Sequence, residues 1–483
     1  MPNRTQRATT GIAELDEILS GGFIPANAYL VRGGPGQGKT TLGLHFLSAG
    51  GRDQPALFIG FQETEAQLKA NAATLGIDVT GIDFLSLVPD EQFFTAAQGY
   101  DVFSAADVEA EPLAAALTEA VERVSPKRVF IDSMTQLRFL APDLFQYRKQ
   151  VLSLLRFLRD RGATVVFSSE RSRDLPDDDL QFIADGVISL GSAEGAPTLE
   201  VTKFRGSGFR RGPHQYRVGG RGLEVFPRPL PPRTVLERPE RIQWRTGVGR
   251  LDAMLEGGIE AGTITLITGP SGTGKSTLAS LFVAEAGRAG RRAAFFAFEE
   301  EVGNLLARCE SLRIPLRQLA KDGTVSLEQV EPMRFLVDEF ARHVQAMAAE
   351  RGLDMVVLDS IAGYELTLGQ SDKAAVHALA KSLSRSGVTV ILVNEVEAVT
   401  GQFRISERGI SYLADNVLIM RYMEVDGRLQ KVFGILKKRL SSFDRRLFPF
   451  EVGPDRIAIR EPEEPLHGVL SGQLLPLPPA PDQ

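Results

Sequence analysis

The chain has 483 residues, a length that allows two or three domains, and 55 Lys and Arg against 61 Asp and Glu give it a formal net charge of −6. This balance disfavours a nucleic-acid partner or an anionic membrane, because both bind strongly basic surfaces. Cys309 is the only cysteine, so an intramolecular disulfide is excluded and a reducing compartment is expected. No uncharged apolar run reaches membrane-spanning length, and the sequence therefore predicts a cytoplasmic protein.

The first half of the chain alternates short apolar strands with amphipathic stretches. Such alternation is typical of βαβ units, in which helices cover both faces of a mostly parallel sheet. The predicted strands are Ala28–Val31, Ala56–Phe61, Phe84–Val88, Val129–Asp132 and Thr164–Ser168. Two later runs, Val187–Leu190 and Thr198–Phe204, alternate differently and predict a hairpin on the edge of the sheet.

A proline-rich segment, Phe226–Arg233, follows. Its prolines lack amide donors and fix φ, which favours a stiff linker over a helix or a central strand. We therefore expect one domain over residues 1–228, a second over 229–460, and a flexible Pro-rich tail over 461–483.

The second half repeats the organisation of the first. Together the two halves predict an α/β protein with two tandem domains, each a mostly parallel, twisted sheet flanked by helices. The predicted strands are Thr263–Ile267, Ala293–Phe298, Thr324–Leu327, Met355–Asp359 and Thr389–Val393, and the predicted edge hairpin is formed by Val417–Tyr422 and Lys431–Lys437.

Each half contains a glycine-rich octet between a predicted strand and a predicted helix. Both octets fit G-x-x-x-x-G-K-[ST], and their lysines, Lys39 and Lys275, lie 236 positions apart. In this motif backbone N–H groups surround phosphates, the lysine reaches the β and γ oxygens, and the hydroxyl binds Mg²⁺. A simple glycine-rich turn is the alternative, but two matches in register with the same flanks disfavour it. The predicted ATP-binding residues are Gly33, Gly34, Pro35, Gly36, Gln37, Gly38, Lys39, Thr40 and Thr41, and Gly269, Pro270, Ser271, Gly272, Thr273, Gly274, Lys275, Ser276 and Thr277.

Two aspartates end apolar strands downstream of the octets. Asp132 and Asp359 are each followed by serine. A carboxylate at this place can complete the Mg²⁺ site begun by the hydroxyls of Thr40 and Ser276. The alternative is a helix N-cap, which also favours Asp.

ATP hydrolysis also needs a carboxylate that orients or deprotonates the attacking oxygen. In the second half Glu299 and Glu300 follow the strand next to the octet, whereas the first half has Gln62 and Glu63 there. An amide cannot accept a proton, so we expect the first domain to bind ATP and to hydrolyse it slowly unless Glu63 substitutes. The alternative is that these acids only favour a helix start through the helix dipole.

Taken together, these motifs resemble the KaiC family of tandem RecA-like ATPases and autokinases. The resemblance rests on the pattern T-G-[IV]-x-x-L-D before each octet, which begins at Thr10 and Thr246, on the acid pair, and on the aspartate-serine strand ends; it extends to about Gly472. It implies two RecA-like P-loop NTPase domains that use ATP and Mg²⁺. It also implies a homohexamer with ATP at the subunit interfaces, and a KaiB-like or other signalling protein as a further partner.

In this family a neighbouring subunit contributes basic residues from a K-x-R segment. Lys203 and Arg205 match that segment in the first domain, and Lys437 and Arg439 match it in the second, where Leu440 replaces the usual glycine. Without the resemblance these residues would be ordinary solvated hairpin charges.

The resemblance also implies phosphorylation in the second domain, on an adjacent Ser-Thr pair. The matching segment keeps Ser411, but Tyr412 replaces the second acceptor. A one-step switch on Ser411, with Tyr412 ranked second, is therefore favoured over a two-site oscillator. Ser411 could also be a plain structural hydroxyl.

Two other functions remain open from the sequence. One is a RecA-like DNA-dependent ATPase, although the acidic balance and the single Trp244 give no obvious basic, aromatic DNA-binding loop. The other is a non-catalytic scaffold whose subunits are held together by nucleotide, which Gln62 makes plausible for the first domain.

Overall fold

The structure is a computed structural model that describes residues 7–87, 105–139, 141–170, 177–193, 195–230, 242–367, 373–396, 412–425, 427–453 and 456–462. The chain divides into two compact units, Met1–Arg228 and Pro229–Gln483. Within the described parts of the chain, no helix is long and apolar enough to cross a membrane.

The described strands of the first unit are β1 (Ala28–Gly33), β2 (Ala56–Gly60), β3 (Ile82–Ser86), β4 (Arg128–Asp132), β5 (Thr164–Glu170), β6 (Gly186–Ala193), β7 (Ala196–Phe204), β8 (His214–Gly219) and β9 (Gly222–Phe226). They form a nine-stranded sheet in the order β3-β2-β4-β5-β1-β6-β7-β8-β9. The pairs from β3 to β6 are parallel, and those from β6 to β9 are antiparallel. The helices are Ala13–Ile18, Lys39–Ser48, Glu65–Thr74, Ala105–Val124, Gln136–Phe139, Leu144–Asp160 and Asp178–Ile183.

The described strands of the second unit are β10 (Gln243–Trp244), β11 (Ile259–Glu260), β12 (Ile264–Gly269), β13 (Ala293–Ala297), β14 (Val325–Gln329), β15 (Met355–Asp359), β16 (Thr389–Glu395), β17 (Asn416–Val425), β18 (Arg428–Lys438), β19 (Phe448–Gly453) and β20 (Arg456–Ile459). Their sheet has the same topology as that of the first unit, with the order β14-β13-β15-β16-β12-β17-β18-β19-β20, and β10-β11 form a separate pair. The helices are Gly249–Met254, Lys275–Arg288, Val302–Ser311, Leu316–Lys321, Val337–Arg351, Ile361–Thr367 and Lys373–Arg385.

Each sheet has an apolar core on both faces. In β1, Tyr29 and Val31 belong to the core that includes Phe46 of the helix after the octet, while Leu30 belongs to the opposite core with Val151. This division follows from the two-residue side-chain period of a strand. Burial on both faces explains why the central strands are continuous apolar runs.

The parallel α/β class and the tandem RecA-like architecture are confirmed, but the position of the hairpins is corrected. β6-β7 and β17-β18 lie inside their sheets, because β8-β9 and β19-β20 extend each sheet beyond them. In addition, Phe226 belongs to β9 and not to the linker. The sequence contained a signal for β8-β9, since Gly219-Gly220-Arg221-Gly222 is typical of a turn.

The motif before each octet has a structural role. Asp16 accepts a hydrogen bond of 2.7 Å from the backbone N–H of Thr10, and Asp252 accepts one of 2.7 Å from that of Thr246. Each aspartate thereby fixes the turn that leads into a short helix.

Candidate nucleotide site

Both octets lie where the fold can present them to phosphates. Each follows the carboxyl end of a central parallel strand, β1 or β12, and a helix begins at its lysine. Gly38 and Gly274, with φ of 85° and 110°, adopt the left-handed conformation just before that helix. This conformation favours glycine, and the resulting helix N-terminus presents N–H groups to an anion.

The octet lysines differ in their contacts. Lys39 donates hydrogen bonds to the carbonyls of Gly33 and Gly34, at 3.1 and 2.8 Å. Lys275 donates to the carbonyl of Pro270 at 2.7 Å and lies 3.6 Å from the Glu395 carboxylate. Burial lowers the pKa of both lysines, and nearby carboxylates partly offset that effect.

Each octet hydroxyl lies against the predicted metal-binding aspartate. Thr40 donates a hydrogen bond of 2.5 Å to Asp132, whose other oxygen accepts one of 2.5 Å from Ser168. In the second domain Ser276 also forms a hydrogen bond with Asp359. Burial raises the pKa of Asp359 to about 6; the Ser276 bond opposes this rise, and the charge of Glu300 adds to it.

These donors fit magnesium. Mg²⁺ usually takes one or two protein oxygens and completes its shell with water and substrate phosphate. A paired hydroxyl and carboxylate in each domain supply that number. A cluster of three or more His, Cys, Asp or Glu ligands does not occur among the described residues, and none is needed for a site of this kind.

A cavity of about 360 Å³ opens over the second octet. Its walls bring together the octet, the predicted carboxylates and three charged residues that were not predicted from the sequence, Arg308, Glu395 and Lys431. The residues that line it are Ser271, Gly272, Gly274, Lys275, Ser276, Thr277, Glu299, Glu300, Arg308, Asp359, Ser360, Glu395, Lys431 and Val452.

The two adjacent glutamates of the second domain have different environments. Glu300 forms a bidentate salt bridge with Arg308, with N–O distances of 2.7 and 2.8 Å. A bidentate pair of this kind fixes the orientation of both groups. Glu299 lines the cavity and is more exposed. Glu299 is therefore the better placed of the two to accept a proton.

The first domain keeps only one of these three charges, that of Glu63, because Gln62 and Asn71 stand where the second domain has Glu299 and Arg308. Gln62 is exposed, and Glu63 accepts only a long hydrogen bond of 3.5 Å from Asn71, which stands at the position of Arg308. In the first hairpin Pro197 pairs with Ser192, and in the second Lys431 pairs with Tyr422. The register of the two hairpins makes these pairs equivalent, so Pro197 stands where the second domain has Lys431. The first octet therefore lies among fewer charged side chains.

The K-x-R residues lie at the other end of each sheet from the octets. Lys203 donates to the carbonyl of Gln181 at 2.7 Å, and Arg205 lies 3.6 Å from Asp185. Asp185 also accepts a hydrogen bond from the N–H of Ala28, the first residue of β1, whereas the octet begins at Gly33, the last residue of that strand. Six residues of strand span about 20 Å, so these cations are remote from the octet of their own domain.

The second domain repeats that arrangement. Lys437 donates to the carbonyl of Ala414 at 2.5 Å, and Arg439 lies 3.2 Å from Asp415. Asp415 accepts from the N–H of Ile264, the first residue of β12.

The predicted phosphosite is only partly described. Ser411 lies outside the described residues. Tyr412 is 70% exposed, and its ring centroid is 6.0 Å from that of His377. The equivalent position in the first domain is Phe182, also 70% exposed, which carries no hydroxyl.

The family profile "ATPase: KaiC" matches this chain twice, over residues 8–229 and 244–464. The chain belongs to the KaiC ATPase family. It is 27% identical to the circadian clock oscillator protein KaiC of Parasynechococcus marenigrum, over 97% of this chain and 93% of that one. It is 28% identical to a KaiC of Prochlorococcus marinus, over 97% and 95%, and 27% identical to KaiC 1 of Synechocystis, over 97% and 91%. The KaiC match spans both octets, and membership of this ATPase family supports ATP as the ligand.

Proposed function

We propose that the protein is an ATP-hydrolysing, KaiC-like signalling protein that assembles as a homohexamer with nucleotide between its subunits. Both octets bind ATP, and the second domain performs most of the turnover. The contrast between the surroundings of the two octets supports this division, because Glu299 is a carboxylate where Gln62 is an amide.

In the second domain each side chain has a distinct task. Lys275 and the octet N–H groups hold the phosphates, and Glu299 accepts the proton of the attacking water. Arg308 keeps Glu300 oriented and offsets its charge. When bound by Ser276 and Asp359, Mg²⁺ would neutralise charge on the β and γ oxygens. In the first domain Thr40 and Asp132 would hold it in the same way.

The observation that carries the assembly proposal is the position of the K-x-R residues. Lys203, Arg205, Lys437 and Arg439 lie at the amino ends of strands whose carboxyl ends lead into the octets. They cannot reach phosphates on their own octet, but a neighbouring subunit in a ring can present them to it. Nucleotide would then be part of the interface and would stabilise the assembly.

Size-exclusion chromatography with light scattering tests the assembly. We expect a six-subunit species with Mg-ATP and smaller species without it. Lys39→Ala should weaken assembly more than it lowers ATP turnover, since the first domain contributes little to turnover. A species of the same size with and without ATP, and for Lys39→Ala, would contradict the proposal.

We propose further that the second domain phosphorylates Ser411 of a neighbouring subunit, with Tyr412 as the second-ranked acceptor. Family resemblance supports this. The contact that Lys437 makes with the carbonyl of Ala414, three residues further along the chain, is consistent with it. The serine hydroxyl would attack the γ-phosphorus, its proton would pass to Glu299 or Glu300, and ADP would leave. The phosphate would bring about −1.5 to −2 charges to an interface rich in Lys and Arg and could change the docking of a KaiB-like partner.

Phosphosite mass spectrometry after incubation with Mg-ATP tests this step. Phosphate on Ser411, absent from Lys275→Ala, is the expected result. ATP consumption with no phosphate on Ser411, Tyr412 or Ser406 would identify an ATPase without autokinase activity.

A second role is favoured for the first domain. Gln62 and the weakly bonded Glu63 suit a domain that binds nucleotide chiefly to hold subunits together.

Low-salt DNA filter binding separates the proposed function from a DNA-dependent ATPase, for which DNA binding and DNA-stimulated ATP turnover would be expected.

A further inference from the structure

Glu395 is a carboxylate of the second cavity to which the proposed reaction assigns no task. It is the last residue of β16 and pairs in register with Gly269, the first residue of the second octet. Backbone pairing therefore fixes it beside the octet. Its carboxylate lines the cavity and lies 3.6 Å from Nζ of Lys275.

Lys275 is thereby held by groups of its own domain. Its side chain is 7% exposed, and its ammonium also donates to the Pro270 carbonyl at 2.7 Å. The lysine of a phosphate loop contacts the β and γ oxygens of bound nucleotide. Glu395 and a γ-phosphate would thus approach the same ammonium, and both are negatively charged.

We propose that Glu395 is a positioning residue that holds Lys275 in the absence of nucleotide and opposes the γ-phosphate, so that it limits the preference of the second domain for ATP over ADP. The proposal rests on the proposed function, since it requires nucleotide at the second octet. ADP lacks the γ-phosphate, so the Glu395 carboxylate opposes its binding less than that of ATP. The effect therefore concerns which nucleotide is held, and not the proton transfer assigned to Glu299.

The first domain supplies a matched control. Glu170 ends β5 and pairs in register with Gly33, as Glu395 pairs with Gly269. Lys39, however, donates to the carbonyls of Gly33 and Gly34, and the side chain of Glu170 lines a small cavity with Arg138 and Tyr147. Glu170 still acts on Lys39 through its charge. Within the described part of the chain, however, Lys39 has no ion pair with it as Lys275 has with Glu395, so the neutralisation of Glu170 should matter less.

The test is equilibrium binding of ADP and of a non-hydrolysable ATP analogue, each with Mg²⁺, to the full chain. Loss of one class of sites in Lys275→Ala identifies the class that belongs to the second domain. For Glu395→Gln we expect the dissociation constant of the analogue at the second-domain sites to fall about tenfold, and the dissociation constant of ADP at those sites to fall by less than about threefold. Glu395→Asp keeps the charge, so its dissociation constant for the analogue should stay within about threefold of that of the parent. The same is expected of Glu170→Gln at the first-domain sites.

The other outcomes overturn the proposal in distinguishable ways. Weaker binding of the analogue to Glu395→Gln would make Glu395 a required ligand of the nucleotide complex. Unchanged binding, or an equal change for ADP and the analogue, would remove its role in discrimination. If Lys275→Ala retained both classes of sites, the nucleotide site itself would be misassigned, and both proposals would fail.

Discussion

The two domains share a topology but differ in the charges around their octets. In the second, Glu299, the Glu300–Arg308 pair and Lys431 surround the octet. The corresponding residues in the first are Gln62, the weakly bonded Glu63 and Asn71, and Pro197. The octet lysines, the hydroxyls and the strand-end aspartates are present in both.

Nucleotide binding and catalysis are two separate requirements of an ATPase, and the two domains differ in the second. Phosphate and metal binding depend on the octet and on the strand that ends in aspartate, and the fold supplies both in each domain. Catalysis depends on side chains that the same fold can carry or omit. We infer that one domain can specialise in holding nucleotide while the other retains turnover.

The largest expected effect is at Glu299. Glu299→Gln should lower the steady-state rate of ATP turnover by about 10²–10⁴-fold, because it removes the group proposed to accept a proton. The first domain has Gln62 at the position of Glu299, so its remaining carboxylate is the control, and Glu63→Gln should change the rate by less than about twofold. The opposite pattern, with loss in Glu63→Gln alone, would reverse the roles of the domains.

Arg308 should have the next largest effect. Arg308→Ala leaves the Glu300 carboxylate without its bidentate partner in a cavity that already contains Asp359 and Glu299, and we expect turnover to fall about tenfold. Asn71→Ala is the control in the first domain and should have little effect. Equal turnover in Arg308→Ala and the parent protein would show that the pair does not support catalysis.

Lys431 should act on binding more than on rate. Lys431→Ala removes a cation from the cavity wall and should raise KM for ATP by about three- to tenfold with a smaller change in kcat. Pro197→Ala, at the equivalent position, should leave KM unchanged. A fall in kcat with constant KM would instead place Lys431 in the chemical step.

The smallest expected effect is on stability. His45 lies in the helix after the first octet, where its Nε2 accepts a 2.9 Å hydrogen bond from the N–H of Leu223, and burial lowers its pKa. The unfolded state therefore binds a proton more readily than the folded state does. The contribution of neutral, buried His45 to stability is present above the ordinary pKa of 6.5 and is lost as the pH falls. The second domain has Leu281 at this position.

Thermal unfolding at several pH values measures that contribution. His45→Leu should reduce the loss of first-domain stability between pH 7.5 and 5.5 without abolishing it, since carboxylates also titrate. An identical pH dependence in the two proteins would exclude His45 as its source.

The sequence predicted what strong local patterns encode. The octets, the buried strands and the strand-end aspartates each combine residue type with spacing, and the structure has strands in all ten predicted places of the parallel sheets. The glycines and the lysine of each octet carry their own geometric requirement, so the position of the loop was visible without tertiary contacts.

The rest depends on contacts between segments distant in the sequence. Arg308 lies on a helix whose pattern gives no sign that it faces Glu300, and Lys431 reaches the cavity only because β18 folds back beside β17. Glu395 is a charged residue at the end of an apolar strand, a common arrangement that gives no sign of a contact with Lys275. The edge pairs β8-β9 and β19-β20 carried weaker signals, and the hairpins before them were therefore assigned to the edge.

The central claim is that the second domain performs most of the ATP turnover. Its most direct test is to transplant the second-domain side chains into the first domain. Gln62→Glu, Asn71→Arg and Pro197→Lys are introduced together into Glu299→Gln, and ATP turnover is compared among this protein, Glu299→Gln and the parent chain. The account predicts that Glu299→Gln is nearly inactive and that the transplanted first domain restores a measurable part of the turnover. Parent-like turnover in Glu299→Gln, or no recovery in a transplanted protein that still binds nucleotide at its first octet, would contradict it.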